Sequence, residues 1–422
     1  MKTTAIRLYG KNDMRLESFA LPPISEEELL VRVVTDSACM STYKAVSLGA
    51  DHKRVPKDIA QNPIVIGHEM CVEICEVGAR LAQQWKQGDK AVIQPALNMP
   101  DNDYSVGYSF CNFGGNMTYG VIPKEVIERG CVIKTTEDTF FKSSLVEPLS
   151  CILRAFKSMY HTNQLTFERS SGVKEKGKIA ILGGAGPMGL GAIDIALHYA
   201  NPSMVVVTDM NGERLARAAS IFTPEQAAAD GIELIYVNTS GIEDQAAYLS
   251  ELSHGGFDDI FVMVTAPGVL EIADDLLAVD GCANFFAGPT DHSLKAKINF
   301  YRVHYDFTHH IGTSGGTPGD TVDVVRLIEK NLLNPAAMLT HIGGLDSVID
   351  VILGMGNPSD GLKKICYNEV SMPMTAIDSF EELGKTSQLF YDLAAIVGRN
   401  NRLWCAEAER YLLANAPRTG QE

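Results

Sequence analysis

KIAILGGAGPMGL, residues 178–190, sets an apolar run directly against a glycine-rich turn and then a helical pattern. A bare Gly-x-Gly-x-x-Gly is common by chance. Between a strand (KIAIL, 178–182) and a helix, with Asp209 closing the next apolar run, it specifies a dinucleotide turn. Each position has its own reason. Gly184 permits the tight turn, Gly186 lets backbone approach a pyrophosphate, and Gly189 allows close helix–sheet packing. Pro187 and Met188 carry the chain into the helix, whose N-terminus supplies free N–H groups and positive dipole. Asp209 is placed to accept from ribose hydroxyls and to repel a 2′-phosphate, which favours NAD over NADP. Arg214 and Arg217, further on, read as exposed helix charges rather than a phosphate clamp.

Outward from that turn, MVVVT (204–208), ELIYV (233–237), DDIFVMV (258–264) and CANFFAG (282–288) read as buried strands, with amphipathic segments such as 187–200 and 211–220 between them. Strands alternating with helices make a parallel sheet covered on both faces, so residues 155–315 are expected to form a doubly wound Rossmann domain. Thr265, Ala287 and Ser314 fall at strand ends, where such a sheet places its ligand crevice, and are candidate nicotinamide neighbours. Segments 157–177 and 220–235 read as insertions.

Residues 1–154 differ. LLVRVVT (29–35) and CVEICEV (71–77) are short strands broken by Pro22, Pro23, Gly67, Gly78 and Gly88, as in a barrel-like β domain. By period-two spacing Cys71 and Cys75 share one strand face and are expected in the core. A helix near 320–332 and a helical tail near 388–414 are expected to return to this first domain, giving it residues 316–422 as well.

Composition narrows the class. Of 422 residues, 45% are hydrophobic, enough for more than one core. The net charge of −16 opposes phosphate backbones and anionic lipid, so neither nucleic acid nor membrane is an expected partner. The nine cysteines show no pairing rhythm, and the N-terminus shows no signal-peptide core; a cytoplasmic setting is expected.

Three separated pieces carry metal-ligand chemistry: Cys39 in TDSACMSTYK, His68-Glu69 in VIGHEM, and Glu147 in LVEPLSC. Alone, each has a dull explanation as a buried thiol, a packed imidazole or a turn carboxylate. Together, ahead of a dinucleotide domain, they fit an open catalytic zinc site with one place left for substrate. Gly67-His68-Glu69, the upstream cysteine, Glu147-Pro148-Leu149-Ser150, the dinucleotide turn and GTSGG (312–316) resemble the zinc-containing medium-chain dehydrogenases nearly end to end. Within that family, MKTTAIRLYG, VTDSACMS, SLVEPLSC, FDDIF and INFYRVHYDFTHHIGTSGG are similar to members acting on keto-sugar phosphates.

The resemblance implies a GroES-like β-rich catalytic domain beside the Rossmann domain, and a homo-oligomer, dimer or tetramer. It implies one catalytic Zn²⁺ held by Cys39, His68 and either Glu69 or Glu147. It implies that Ser41 passes a proton between substrate oxygen and solvent. Three departures matter. Val72 stands where the family has a glycine, a matter of strand packing. Only Cys111 lies in 95–130, so no structural zinc is expected. Lys44 occupies the place of a proton-relay histidine. Lys44 can replace that relay at the cofactor ribose, touch a substrate phosphate, or do neither. Lys53, Arg54, Arg302 and His304 are further phosphate candidates, although Lys53-Arg54 follow a hydrophilic loop and read as solvated. Other readings stay open: a dehydrogenase of an unphosphorylated polyol, a zinc-free reductase, and a nucleotide-binding protein without catalysis.

Overall fold

The computed structural model describes residues 1–356 and 362–420. The chain divides into two compact units: Met1–Pro148 with Thr317–Lys330 and Leu339–Glu422, and Leu149–Gly316 with Asn331–Met338.

In the second unit six parallel strands lie in the spatial order Glu233–Asn238, Met204–Asp209, Lys178–Leu182, Phe257–Val262, Leu277–Phe285, His309–Gly312. The order reverses beside Lys178–Leu182, which is the topological switch of a doubly wound sheet. Met204–Val207 and all of Phe257–Val262 are buried, as expected for strands covered on both faces. The sixth strand, His309–Gly312, is a half-exposed edge strand with little apolar signal.

Asn331–Met338 belongs with this unit, not with the first as the sequence suggested. Asn334 N donates to the buried Asp194 carboxylate at 2.7 Å, and a Cβ on Gly191 would meet Leu149, Ile152 and Met338. Residues 149–154 join it for the same packing reason. The insertion at 157–177 contains a short hairpin, Tyr160–Thr162 with Arg169–Ser171. The insertion at 220–235 carries a helix, Pro224–Ala229, with a Thr223/Gln226 capping box.

The first unit is built on Leu29–Ser37. This strand pairs antiparallel with Met70–Val77, with Tyr119–Ile122 and with Lys364–Tyr367. Val31, Val33, Met70, Val72, Ile74 and Phe113 share one buried cluster. The core face of the second strand is therefore Met70/Val72/Ile74. Cys71 is still buried, on the opposite face, but Cys75 is half-exposed beside the Arg32–Glu73 ion pair, so its expected core position is corrected.

The expected helical tail is two helices, Gln388–Gly398 and Ala406–Asn415. The second ties down the first unit through one buried carboxylate. Glu409 accepts from Phe140 N and Phe141 N, each at 2.8 Å, and from Tyr367 Oη at 2.9 Å, while Trp404 Nε1 donates to the same Tyr367 oxygen. Burial pushes Glu409 up to about 7, against hydrogen bonds that favour its charged form. A value above the ordinary 4.5 means that the folded chain holds this proton more tightly than the unfolded one. The stability it contributes is complete below pH about 4.5 and is lost as pH rises through 7. Glu409→Gln is expected to flatten the fall in melting temperature across that window; an unchanged pH slope would clear Glu409 of the effect.

Candidate metal and nucleotide sites

Strand register assembles the metal site. Ser37 pairs with Ile365, and Asp36 with Met70, so the ends of three neighbouring strands meet. Ser37 N donates to Glu69 O, and Ala38 N to Lys364 O, each at 2.9 Å. Cys39 then stands at the N-cap of the helix Met40–Leu48. Gly67 turns the chain into His68 at φ +91°, and a Cβ there would lie 2.7 Å from Asp36 Oδ2. The glycine of the GHE triplet is thus required twice, by its dihedral and by its crowding.

The ligand atoms of Cys39, His68 and Glu69 all lie within 4.8 Å of one another, the one such group of three among the described residues. His68 is buried; Thr42 Oγ1 holds its Nδ1 at 3.1 Å, and Tyr108 Oη stands 3.4 Å from Nε2. With Nδ1 engaged, Nε2 is the nitrogen left for a metal. Burial lowers the ring to about 4, with Glu69 opposing, so the imidazole is neutral and able to ligate. Burial and Glu69 together raise the Cys39 thiol, Lys363 opposing; a divalent cation reverses that balance. A sulfur, a nitrogen and a carboxylate oxygen at this spacing fit Zn²⁺.

Glu147 lies outside the group of three. It is buried, and its charge acts on Cys39, Tyr108 and Lys363. Glu69 is more constrained: its Oε2 accepts from both Ser37 Oγ and Lys363 Nζ. The Lys363 side chain is only 6% exposed, and the carboxylates and thiol around it outweigh burial, so it stays charged. Ser41 interacts with the Tyr108 hydroxyl and, through its backbone, with Cys39. Lys44 is half-buried on the same helix.

Ser37, Thr42, Tyr108 and Lys363 went unnoticed in the sequence. Thr42 was discoverable, since three residues after Cys39 on a helix puts it on the same face. Lys363 gave no signal, because a lysine just before the strand KICY (Lys364–Tyr367) reads as a solvated end.

In the second unit the glycine turn meets the carboxyl edge of the sheet. Gly184 N donates to Thr208 O at 2.8 Å, and Asp209 Oδ2 accepts from Ala185 N at 3.1 Å. The left-handed residue is Gly183 at φ +68°, so the tight turn expected of Gly184 belongs one position earlier. Gly184 is required instead by packing, since its Cβ would sit 2.7 Å from Ile181 Cγ2. A Cβ on Gly189 would strike Gly184 O at 2.0 Å, whereas one on Gly186 would meet nothing within 4 Å. Gly186 therefore borders open space at the start of the helix Pro187–Ile195, with Pro187 and Met188 in its first turn, a cradle that fits a pyrophosphate. Thr265, Ala287 and Ser314 follow the strands Phe257–Val262, Leu277–Phe285 and His309–Gly312 at this same edge.

Arg302 is occupied elsewhere. Its guanidinium donates to the carbonyls of Asp274, Asp275 and Leu277 and to Asp306, fixing the end of one helix to another, which removes it from the phosphate candidates.

A sulfur–nitrogen–oxygen donor group in a β-rich unit, in a chain that also folds a doubly wound sheet with a glycine turn, defines a dehydrogenase or reductase. Residues 25–131 match the alcohol dehydrogenase GroES-like domain. The chain is 47% identical to mannitol-1-phosphate 5-dehydrogenase of Aliivibrio fischeri (strain ATCC 700601 / ES114), over 98% of this chain and 97% of that protein. It is 45% identical to L-sorbose 1-phosphate reductase of Klebsiella pneumoniae, over 98% of each. The crystal structure of 2R,3R-butanediol dehydrogenase from Bacillus subtilis shares the fold, with a TM-score of 0.70 and 22% identity over 86% of this chain and 99% of that one. The chain belongs to the zinc-containing medium-chain dehydrogenase/reductase family, and it is an enzyme. No helix among the described residues is long and apolar enough to cross a membrane.

Proposed function

We propose that the enzyme interconverts a keto-sugar phosphate and a polyol phosphate, specifically L-sorbose 1-phosphate and D-glucitol 6-phosphate, with one catalytic Zn²⁺ and NAD(H) in preference to NADP(H). The observation that carries the reading is the Cys39/His68/Glu69 donor group within 4.8 Å; the full-length similarity to sugar-phosphate oxidoreductases supports the substrate class. When bound, the zinc supplies Lewis-acid stabilisation of the developing alkoxide, and the nicotinamide supplies or accepts the hydride.

The chain's residues do the rest. Cys39 and His68 hold the metal, with Glu69 as third ligand and Glu147 as the nearby carboxylate able to act in its place. Thr42 fixes the His68 ring. Ser41, in contact with Tyr108, passes the proton between the substrate oxygen and solvent. Lys44 stands in the relay position. Gly184, Gly186 and Gly189 seat the pyrophosphate, and Pro187 and Met188 begin the helix that caps it. Asp209 binds the ribose hydroxyls, and Thr265, Ala287 and Ser314 border the nicotinamide. A small phosphorylated sugar is the partner, and the enzyme assembles as a homo-oligomer.

The test is turnover of L-sorbose 1-phosphate with NADH, followed by the absorbance of the reduced nicotinamide and repeated with NADPH and with free L-sorbose. Oxidation of NADH with the phosphorylated sugar, faster than with NADPH or the free sugar, is the expected result. Turnover of only the free sugar would defeat the reading. A second reading, oxidation of D-mannitol 1-phosphate, is favoured by the 47% identical relative and is measured with that polyol phosphate and NAD+, by the appearance of reduced nicotinamide.

A further inference from the structure

Resting on the sugar-phosphate reading, we infer that Arg54, with His52 behind it, is the residue that recognises the substrate phosphate. Arg54 does not read as a solvated charge once folded. Its guanidinium lies over the Tyr108 ring, 5.4 Å from the centroid, and Tyr108 in turn stands ring to ring with the ligand His68 at 5.0 Å. One buried aromatic ring therefore separates Arg54 from the metal group. Its charge reaches both: it disfavours protonation of His68 and favours the phenolate of Tyr108.

The position is built. Ser109 Oγ donates to Arg54 O at 2.7 Å, Arg54 N donates to His52 Nδ1 at 3.3 Å, and Val55 is locked in the core. His52 stacks on the other partner of this stack, Tyr108, at 5.6 Å and 13° between planes.

Among the described residues no carboxylate pairs with the Arg54 guanidinium, in a chain of net charge −16. Its neighbour Lys53 differs, exposed to solvent and 3.9 Å from Asp103. The charges of Arg54, Lys53 and Lys44 converge on His52, whose ring is lowered by burial first and then by these three cations. A half-buried arginine held over an aromatic face, uncompensated, beside a metal group and in a locally positive field, is suited to a dianionic ester. Its planar fork binds two phosphate oxygens, which a lysine cannot reproduce. Lys44 supplies field; Arg54 supplies the directed contact.

The phosphate ester has two possible positions relative to the reacting carbonyl. In L-sorbose 1-phosphate it is on the adjacent carbon, and in D-fructose 6-phosphate at the far end of the chain. Both offer the same dianion, and the assay separates them. The experiment measures kcat and KM of the zinc-loaded enzyme and of Arg54→Met and Arg54→Lys with these two esters, with free L-sorbose and with free D-fructose, and inhibition of each by inorganic phosphate. For the ester the parent prefers, Arg54→Met is expected to lower kcat/KM about 10- to 100-fold, chiefly through KM, and to weaken phosphate inhibition comparably. Activity on the free sugar is expected to stay within about threefold, which also shows that the variant is folded, and Arg54→Lys recovers part of the loss.

A parent that prefers the ester together with an Arg54→Met variant that keeps that preference overturns this assignment and leaves the sugar-phosphate reading standing. Equal losses on ester and free sugar also overturn it, because they mark a structural role. A parent indifferent to the phosphate, or inactive on every sugar, overturns both.

Discussion

Cys39→Ala will lose bound zinc and, with it, about a thousandfold or more of turnover, while the fold of the first unit survives. The reasoning runs from the donor set. Two strong donors, the sulfur of Cys39 and the nitrogen of His68, anchor the group, and Glu69 shares its Oε2 with Ser37 and Lys363. Removing the sulfur leaves one nitrogen and carboxylates already partly engaged, too few for the tetrahedral coordination that zinc takes in such sites. The Lewis-acid contribution is worth several kcal/mol at the transition state, and each 1.36 kcal/mol is tenfold in rate, which gives the stated size. Stability responds less. Cys39 is the N-cap of its helix but makes no side-chain capping bond, so alanine forfeits little beyond the thiol's packing. Metal analysis of the purified variant, with circular dichroism as the folding control, checks the claim. A variant that retains one zinc per chain places the metal elsewhere. A variant that loses zinc but keeps its turnover makes the reaction metal-free.

What the sequence disclosed and what it withheld differ for physical reasons. Gly67-His68-Glu69 and the glycine turn were legible because backbone geometry demands glycine there and leaves a short local pattern. Within the turn, the left-handed residue was misplaced by one: Gly183 and Gly184 are adjacent glycines that both lack room for a Cβ, and only the folded dihedral, φ +68° at Gly183, distinguishes the first. The strand His309–Gly312 hid because it is a short edge strand whose residues are half-exposed, so burial left no alternation to read. Arg302 and Arg54 show that charge identity alone ranks nothing. One is saturated by helix-end carbonyls, while the other lies on a tyrosine without a carboxylate. Lys363 is the clearest case. Its contact with Glu69 spans 294 positions and exists only because Ser37 registers against Ile365.

That contact carries the second large expectation. Lys363→Met keeps side-chain length and removes the charge, leaving Glu69, 2% exposed, beside Cys39 and Glu147 with no cation. Breaking a buried pair by deleting one partner costs about 3–5 kcal/mol, because the survivor stays desolvated. In metal-free protein the first unit should therefore melt well below the parent. In zinc-loaded protein the loss should be much smaller, since the divalent cation beside Glu69 supplies the missing positive charge. Linkage then fixes the sign of a third quantity. If zinc stabilises the variant more than it stabilises the parent, the folded variant must bind zinc more tightly. Lys363 thus competes with the metal for one carboxylate, so its loss improves zinc affinity while weakening the empty fold. Calorimetry of both forms with and without zinc, and competition with a chelator of known affinity, measure the two effects together. Equal destabilisation in the metal-free and zinc-loaded states would mean that Glu69 does not share its charge between Lys363 and the metal, and would leave Glu147 as the carboxylate ligand.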